Sequence, residues 1–101
     1  MNYWLHLGAE HDLREAAEFY RKKAGAPLSQ AFFAEFEYTI GLLLEYPRLG
    51  AIWRFGRRRL LMRRFPYGVI DTTAGEQIRV LAVAHSSRRP GYWRRRRSVR
   101  D

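Results

Sequence analysis

Two amphipathic helical patterns follow one another in the first half of the chain, separated only by Gly25-Ala26-Pro27. The first predicts a helix over Ala9–Lys23, because apolar residues recur at helical spacing at positions 13, 16, 17, 20 and 24. The second predicts a helix from Leu28 or Ser29 to Tyr46, with Ser29 as its N-cap. Since the linker is so short, the helices must lie nearly antiparallel, and their apolar faces need a second layer to cover them.

Short segments with β-type patterns supply that layer. One precedes the helices, at Tyr3–Leu7, where Gly8 is expected to end it. Four follow the helices: Ala51–Phe55, Arg58–Phe65, Tyr67–Thr73 and Gln77–Ala84. The turn Ala74-Gly75-Glu76 suits a hairpin, so the last strands are expected to be antiparallel. The order predicts an α+β fold, with an N-terminal strand and an antiparallel helical hairpin packed on a small, mainly antiparallel sheet. At 101 residues the chain is expected to form a single domain, 1–101, with a basic C-terminal tail over 94–101.

The positive charge lies in the second half of the chain. Residues 1–50 contain 5 Lys and Arg against 7 Asp and Glu, whereas residues 51–101 contain 14 Arg against 3 acidic residues. The net charges of the halves are −2 and +11, which gives the net charge of +9 for the chain. Such a one-sided field favours an anionic partner: nucleic acid, an acidic protein segment or a membrane surface. A merely solvated basic surface with a frayed tail stays open as the alternative.

Several functional classes are excluded or disfavoured by composition. The chain has no cysteine, which excludes disulfides, thiolate metal sites and a cysteine nucleophile. The three histidines lack metal-ligand spacing, so no metal site and no cofactor are expected. No apolar run approaches a membrane span, and the N-terminus has no signal-peptide pattern, which together indicate the cytoplasm.

Three motifs in order carry a family resemblance. They are Arg63–Val69 (RRFPYGV), Ile78–His85 (IRVLAVAH) and Arg88–Trp93 (RRPGYW). The chain resembles the RelE/ParE superfamily of toxins from bacterial type II toxin–antitoxin systems, and the ParE (plasmid stabilisation) branch more closely. The resemblance extends over roughly Trp4–Arg96. It implies a RelE/ParE-like fold and a small toxin that is neutralised by a cognate antitoxin with an acidic, partly disordered C-terminal segment.

The resemblance leaves two targets, because ParE toxins poison DNA gyrase whereas RelE toxins cleave mRNA on the ribosome. RelE-type nucleases resemble one another in having strand lysines, an arginine after the turn aromatic and another after the last strand. Here the strand has no lysine, Gly68 follows Tyr67, and serines follow His85. Only the C-terminal Tyr92 matches, so a gyrase-binding toxin is favoured over an enzyme. If the chain is a nuclease, His85 and Tyr92 are its catalytic candidates; otherwise His85 is a hydrogen-bonded histidine at a strand end.

The predicted target-binding residues combine arginines with aromatic rings, a pairing that grips bases or flat partner surfaces. They are Arg63, Arg64, Arg88, Arg89, Tyr92 and Trp93. Two interpretations of Trp93 stay open: it contacts the target, or it anchors the tail on the sheet. Trp53 is expected in the core. Asp71 departs from the family pattern and either pairs with a neighbouring arginine or marks altered activity. An inactive homologue that only binds its antitoxin and a general nucleic-acid-binding module also remain open.

Overall fold

Two helices cover one face of a five-stranded sheet in the computed structural model, which describes residues 1–89 and 91–97. The strands are β1 (Asn2–Leu5), β2 (Ala51–Ile52), β3 (Arg58–Leu61), β4 (Tyr67–Ala74) and β5 (Gln77–His85), and the helices are α1 (Leu7–Ala24) and α2 (Ala26–Glu45). The sheet order is β1-β5-β4-β3-β2, with β1 parallel to β5 and the other pairs antiparallel. The predicted α+β fold is confirmed. The predicted tail over 94–101 is described only as far as Arg97, and Pro90 of the RRPGYW motif also lies outside the described residues.

Helix α1 begins earlier than predicted, at Leu7, so Gly8 lies in its first turn and is not the residue that ends the first strand. His6 is the N-cap, and its Nδ1 accepts a hydrogen bond of 2.9 Å from the Gly8 N–H. That bond satisfies one of the free N–H groups of the first turn, which the sequence pattern did not reveal because histidine is not a preferred cap. The helix ends as predicted at Gly25, which adopts φ +87°.

Helix α2 also begins earlier than predicted, at Ala26, so Ser29 is not its N-cap. Pro27 lies in the first turn, where a proline fits because the N–H that it lacks would have no helical partner. The two helices are therefore joined by Gly25 alone. This geometry holds them side by side and directs both apolar faces toward the sheet.

The core lies between the helices and the sheet. Its buried members come from both layers: Ala9, Leu13, Ala16, Ala17, Phe32, Phe36, Ile40, Leu43, Met62, Phe65, Val69, Ile78, Val80 and Val83. Phe33 follows the buried Phe32 in α2, but its side chain is exposed because it lies at the edge of the helical stripe. Neither described helix is both long and apolar enough to span a membrane.

The strands nearest the basic motifs are shorter than predicted. Strand β2 ends at Ile52, and a 3₁₀ turn follows at Arg54–Gly56, inside which Phe55 adopts φ +59° and ψ +34°. A left-handed conformation costs a non-glycine residue on the order of 1–2 kcal/mol. Strand β3 then ends at Leu61, so the predicted strands Ala51–Phe55 and Arg58–Phe65 were both too long.

Candidate functional site

A cleft of about 170 Å³ lies on the sheet face opposite the helices. Side chains alternate between the two faces of a strand, so Ile70 and Ala84 face this side while Val69 and Val83 face the core. The last strand turns into the C-terminal segment here, and that segment forms one wall. The cleft is lined by aromatic, basic and small residues, among them Trp53, Arg59, Gly68, His85, Arg88, Arg89 and Tyr92.

Arg59 of β3 supplies a guanidinium on one side of the cleft. Its Cζ lies 3.6 Å from the centroid of the Trp53 ring, a cation–π contact that fixes the side chain. Gly68 on the neighbouring strand makes room for it, since a Cβ at that position would lie 3.0 Å from the Arg59 Cγ. The position after Tyr67 therefore lacks the arginine of the nuclease pattern and gives space to one from β3. Trp53, expected in the core, is only half-buried beneath this arginine.

Three of the predicted target-binding residues meet at the other side. The Arg88 Cζ lies 4.0 Å from the centroid of the Tyr92 ring. Its backbone N–H donates to the His85 carbonyl at 3.0 Å, so a tight turn follows β5 and brings Arg89 into the lining. The cleft thus has stacked guanidinium–aromatic pairs on both sides.

Trp93 lies against the same cleft as Arg88, Arg89 and Tyr92, but its side chain is almost completely buried. Its side chain is 1% exposed and packs with Ile70 and Ala82 on the open face of the sheet. The sequence left open whether Trp93 contacts a target or anchors the tail. Its burial favours the anchoring role, and its place in the target-binding set stays a prediction.

Asp12 of α1 ties the C-terminal segment to the body of the protein. One of its carboxylate oxygens accepts hydrogen bonds from the Val83 N–H at 3.1 Å, the Tyr92 hydroxyl at 3.1 Å and the Arg96 guanidinium at 2.7 Å. Arg96 also donates to the Leu81 carbonyl at 3.0 Å. Strand β1 ends opposite Val80, so this ion pair satisfies backbone groups of β5 that no strand covers. Residues 91–97 are consequently part of the folded structure.

The two candidates for proton transfer are both engaged within the protein. The Nδ1 of His85 accepts from the Ser87 N–H at 3.0 Å, so a neutral His85 ring carries its proton on Nε2. Burial, reinforced by the charge of Asp12 and the hydrogen bond to it, raises the pKa of Tyr92 well above its ordinary value. His85 is therefore a hydrogen-bonded histidine at the end of β5, as its simpler interpretation predicted. The Tyr92 hydroxyl stays protonated and directed at Asp12.

Arg63 and Arg64 lie apart from the cleft, after the far end of β3. Arg63 forms two hydrogen bonds with the buried carboxylate of Glu35, at 2.9 and 3.2 Å, and stacks on Tyr38 with its Cζ 3.4 Å from the ring centroid. The hydrogen bonds to Glu35 raise the pKa of Arg63. Arg63 therefore holds the loop before β4 against α2, whereas Arg64 is exposed, with its Cζ 5.5 Å from the centroid of the Phe65 ring. The structure does not bring this pair together with Arg88, Arg89 and Tyr92.

Asp71 is buried in β4 without the partner that the sequence suggested. Both carboxyl oxygens lack a hydrogen-bond partner within the described part of the chain, and the side chain is 0% exposed. Arg58 is the neighbour of Asp71 across the sheet, but it donates to the Gly50 carbonyl at 2.9 Å and forms no ion pair with Asp71. The expected pairing with an arginine is therefore wrong. Burial raises the pKa of Asp71 to about 7, although the charge of Arg58 opposes the shift.

A family model described as the ParE toxin of the type II toxin–antitoxin system, parDE, matches residues 3–90. The chain belongs to this family. A solved structure of the chromosomal ParDE toxin–antitoxin system from P. aeruginosa contains a chain with a similar fold, at a TM-score of 0.75 and 19% sequence identity. The match covers 84% of this chain and 95% of that chain. No curated protein matches the sequence.

The family model matches only part of the C-terminal wall of the cleft in this ParE-family toxin. The match ends at residue 90, so it includes Arg59, His85, Arg88 and Arg89 but neither Tyr92 nor Arg96. Among residues 1–89 and 91–97, no three His, Asp or Glu side chains are grouped as metal ligands would be. The cleft presents guanidinium groups, aromatic rings and the imidazole of His85.

Proposed function

We propose that this ParE-family toxin acts by binding DNA gyrase and inhibiting it. The observation that carries the proposal is the sheet cleft, where Arg59 and Arg88 are each stacked on an aromatic ring and Arg89 lies beside them. A guanidinium that is already held in place loses little rotational freedom when a partner carboxylate or phosphate binds it. Gyrase bound to DNA offers both kinds of anion, because the protein has carboxylates and the DNA has phosphates.

Binding is favoured over bond cleavage because the cleft is rich in cations, while each candidate proton carrier already has a hydrogen-bond partner within the protein. RNA cleavage through the 2′-hydroxyl requires a base, an acid and cations that stabilise the phosphorane. Arginine serves as the cation but stays protonated and is a poor base. Tyr92 donates to Asp12, and Nδ1 of His85 already accepts from Ser87. The location of His85 in the cleft keeps a RelE-type nuclease as the second candidate.

The test is a supercoiling and cleavage assay with purified gyrase, plasmid DNA and the full chain freed of any antitoxin. We expect the wild type to leave plasmid linear or unsupercoiled. The Arg88→Gln, Arg89→Gln variant should need at least about tenfold more protein for the same effect, since central interface residues contribute more than 1 kcal/mol each. The control is Lys22→Gln, an exposed cation on α1.

Unchanged supercoiling with folded protein would contradict the gyrase proposal. A translating extract then decides the next candidate: mRNA cleavage that disappears in a His85→Gln, Tyr92→Phe variant would indicate the nuclease. Expression that is harmless without any partner would indicate an inactive homologue.

We also propose that an antitoxin with an acidic, partly disordered segment neutralises this chain. The half of the chain after residue 50 carries a net charge of +11. Apolar side chains are exposed at Leu49, Ile52 and Leu61, with exposed fractions of 46%, 75% and 55%. A segment that folds on the toxin would cover these side chains and neutralise the charge. Co-expression with the neighbouring gene product should yield a complex that no longer affects gyrase; a stable chain without such a partner would contradict this.

A further inference from the structure

A second cleft lies beside the first, between the 3₁₀ turn Arg54–Gly56 and the C-terminal segment. Its volume is about 320 Å³, and no acidic residue lines it. Arg89, Arg94 and Arg95 all contribute to the lining. Within residues 1–89 and 91–97, none of these three guanidinium groups forms an ion pair. The positive charge of this cleft is therefore available to a ligand.

Phe55 presents an aromatic ring in the same cleft. The residue is held at φ +59° and is 55% exposed, an unusual combination for a large apolar side chain. One edge of the ring is fixed, since its centroid lies 6.0 Å from that of Trp93 in a T-shaped arrangement. Gly91 packs beneath it so closely that a Cβ there would lie 2.5 Å from the Phe55 Cε2. Strained residues that their surroundings hold in place cluster at binding sites. Here the strain displays a ring beside cations that form no ion pair in the described part of the chain, and the Arg94 Cζ lies 5.6 Å from the ring centroid.

We propose that this cleft binds an unpaired nucleotide of single-stranded nucleic acid, with the base stacked on Phe55 and the phosphates held by Arg94 and Arg95. Proteins that bind single strands combine aromatic rings for the bases with cations that follow the backbone. The planar arginine fork matches phosphate oxygens. A nucleic acid offers a flat base beside every phosphate, whereas an acidic protein segment offers an aromatic ring only at particular positions, so nucleic acid is the better match. The proposal concerns direct binding and does not require gyrase to be the target.

The test compares two labelled strands of equal length by fluorescence anisotropy, using the full chain freed of its partner. One is oligothymidylate, and the other carries abasic residues, which keep the phosphates but remove the bases. We expect the wild type to bind oligothymidylate about tenfold more tightly, the effect of one stacked base. Phe55→Leu should abolish this preference without changing the affinity for the abasic strand, and Phe55→Tyr should retain it.

The arginines are tested separately through the salt dependence. The Arg94→Gln, Arg95→Gln variant should bind both strands more weakly and lower the slope of log affinity against log salt by about 1.4, the value for two phosphate contacts to a single strand. Lys22→Gln, Lys23→Gln removes the same charge from α1 and should leave the slope nearly unchanged.

Three outcomes would overturn the proposal. Equal affinity of the wild type for the two strands would assign the cleft to polyanions in general, including acidic proteins. A preference for bases that survives in Phe55→Leu would place stacking elsewhere. Absence of binding to either strand would remove nucleic acid as the ligand. If Phe55→Leu does not fold, Phe55→Gly tests the same loss of the ring in a residue that accepts the left-handed backbone.

Discussion

Replacing Asp12 by alanine is expected to lower the free energy of unfolding by about 3–5 kcal/mol, the usual effect of breaking a buried ion pair. Asp12 has a side chain only 6% exposed and its partner Arg96 one only 20% exposed. The substitution leaves the Arg96 guanidinium without its counter-ion and the Val83 N–H without its acceptor. Residues 91–97 should then detach from α1, and the stacked pair of Arg88 and Tyr92 should lose its support.

Chemical denaturation measures the loss, and two variants calibrate it. Tyr92→Phe removes only one of the hydrogen bonds to Asp12 and should reduce the free energy of unfolding by about 1 kcal/mol. Glu15→Ala removes an exposed carboxylate of the same helix, paired only with His11 at the surface, and should change stability little. If Asp12→Ala behaves like Glu15→Ala, the ion pair with Arg96 does not hold the C-terminal segment.

Asp71 is expected to make the toxin less stable as the pH rises. Its pKa is about 7 in the folded protein, against 3.8 for an ordinary aspartate. The folded state therefore binds more protons than the unfolded state between these values, and the free energy of unfolding falls with pH across that window. Below pH 4 the ionisation of Asp71 does not lower the free energy of unfolding, and above pH 7 it lowers that free energy by the full amount. The shift corresponds to a penalty of at most about 4 kcal/mol.

The matched variant is Asp71→Asn, which has nearly the same shape and no titrating group. Melting temperatures of both proteins between pH 5 and pH 8 measure the effect. The variant should already be somewhat more stable than the wild type near pH 5, where about a third of the loss is present, and its advantage should be largest at pH 8. The growth of the difference between the two curves isolates Asp71 from the other titrating groups. Parallel curves would show that Asp71 does not remain protonated in the folded protein.

The helical layer could be predicted from sequence because its signals are local. The apolar stripe of α1 and the glycine at position 25 determined where that helix lies and ends. The errors arose where a local rule met an exception: His6 caps α1 in place of a preferred residue, and Pro27 begins α2 in place of Ser29. The strands were predicted in the right order, but a positive φ at Phe55 cannot be read from an apolar residue.

The candidate site was only partly predictable, because its contacts join residues distant in the chain. Arg88, Arg89 and Tyr92 were found since they are close together in sequence and interleave cations with an aromatic ring. Asp12 was missed because Val83, Tyr92 and Arg96 meet it from 71 to 84 residues away. Arg59 was missed as a cleft residue, and its one signal was Gly68, a glycine inside a strand that marks a close approach. Trp93 could not be assigned to core or surface until the sheet was seen.

The pairing of β1 with β5 has a consequence for how the toxin is made. Asn2–Leu5 reaches its place in the sheet only beside Gln77–Val80, about 75 residues later in the chain. A ribosome therefore releases nearly the whole chain before the first strand can join the last, and contacts so distant in sequence form slowly. Residues near the end of the described chain line both clefts, among them Arg88, Arg89, Tyr92, Arg94 and Arg95, and they are synthesised later still. The surface that we propose as the binding site is thus among the last parts of the fold to be completed, which would give the antitoxin proposed above time to reach it first.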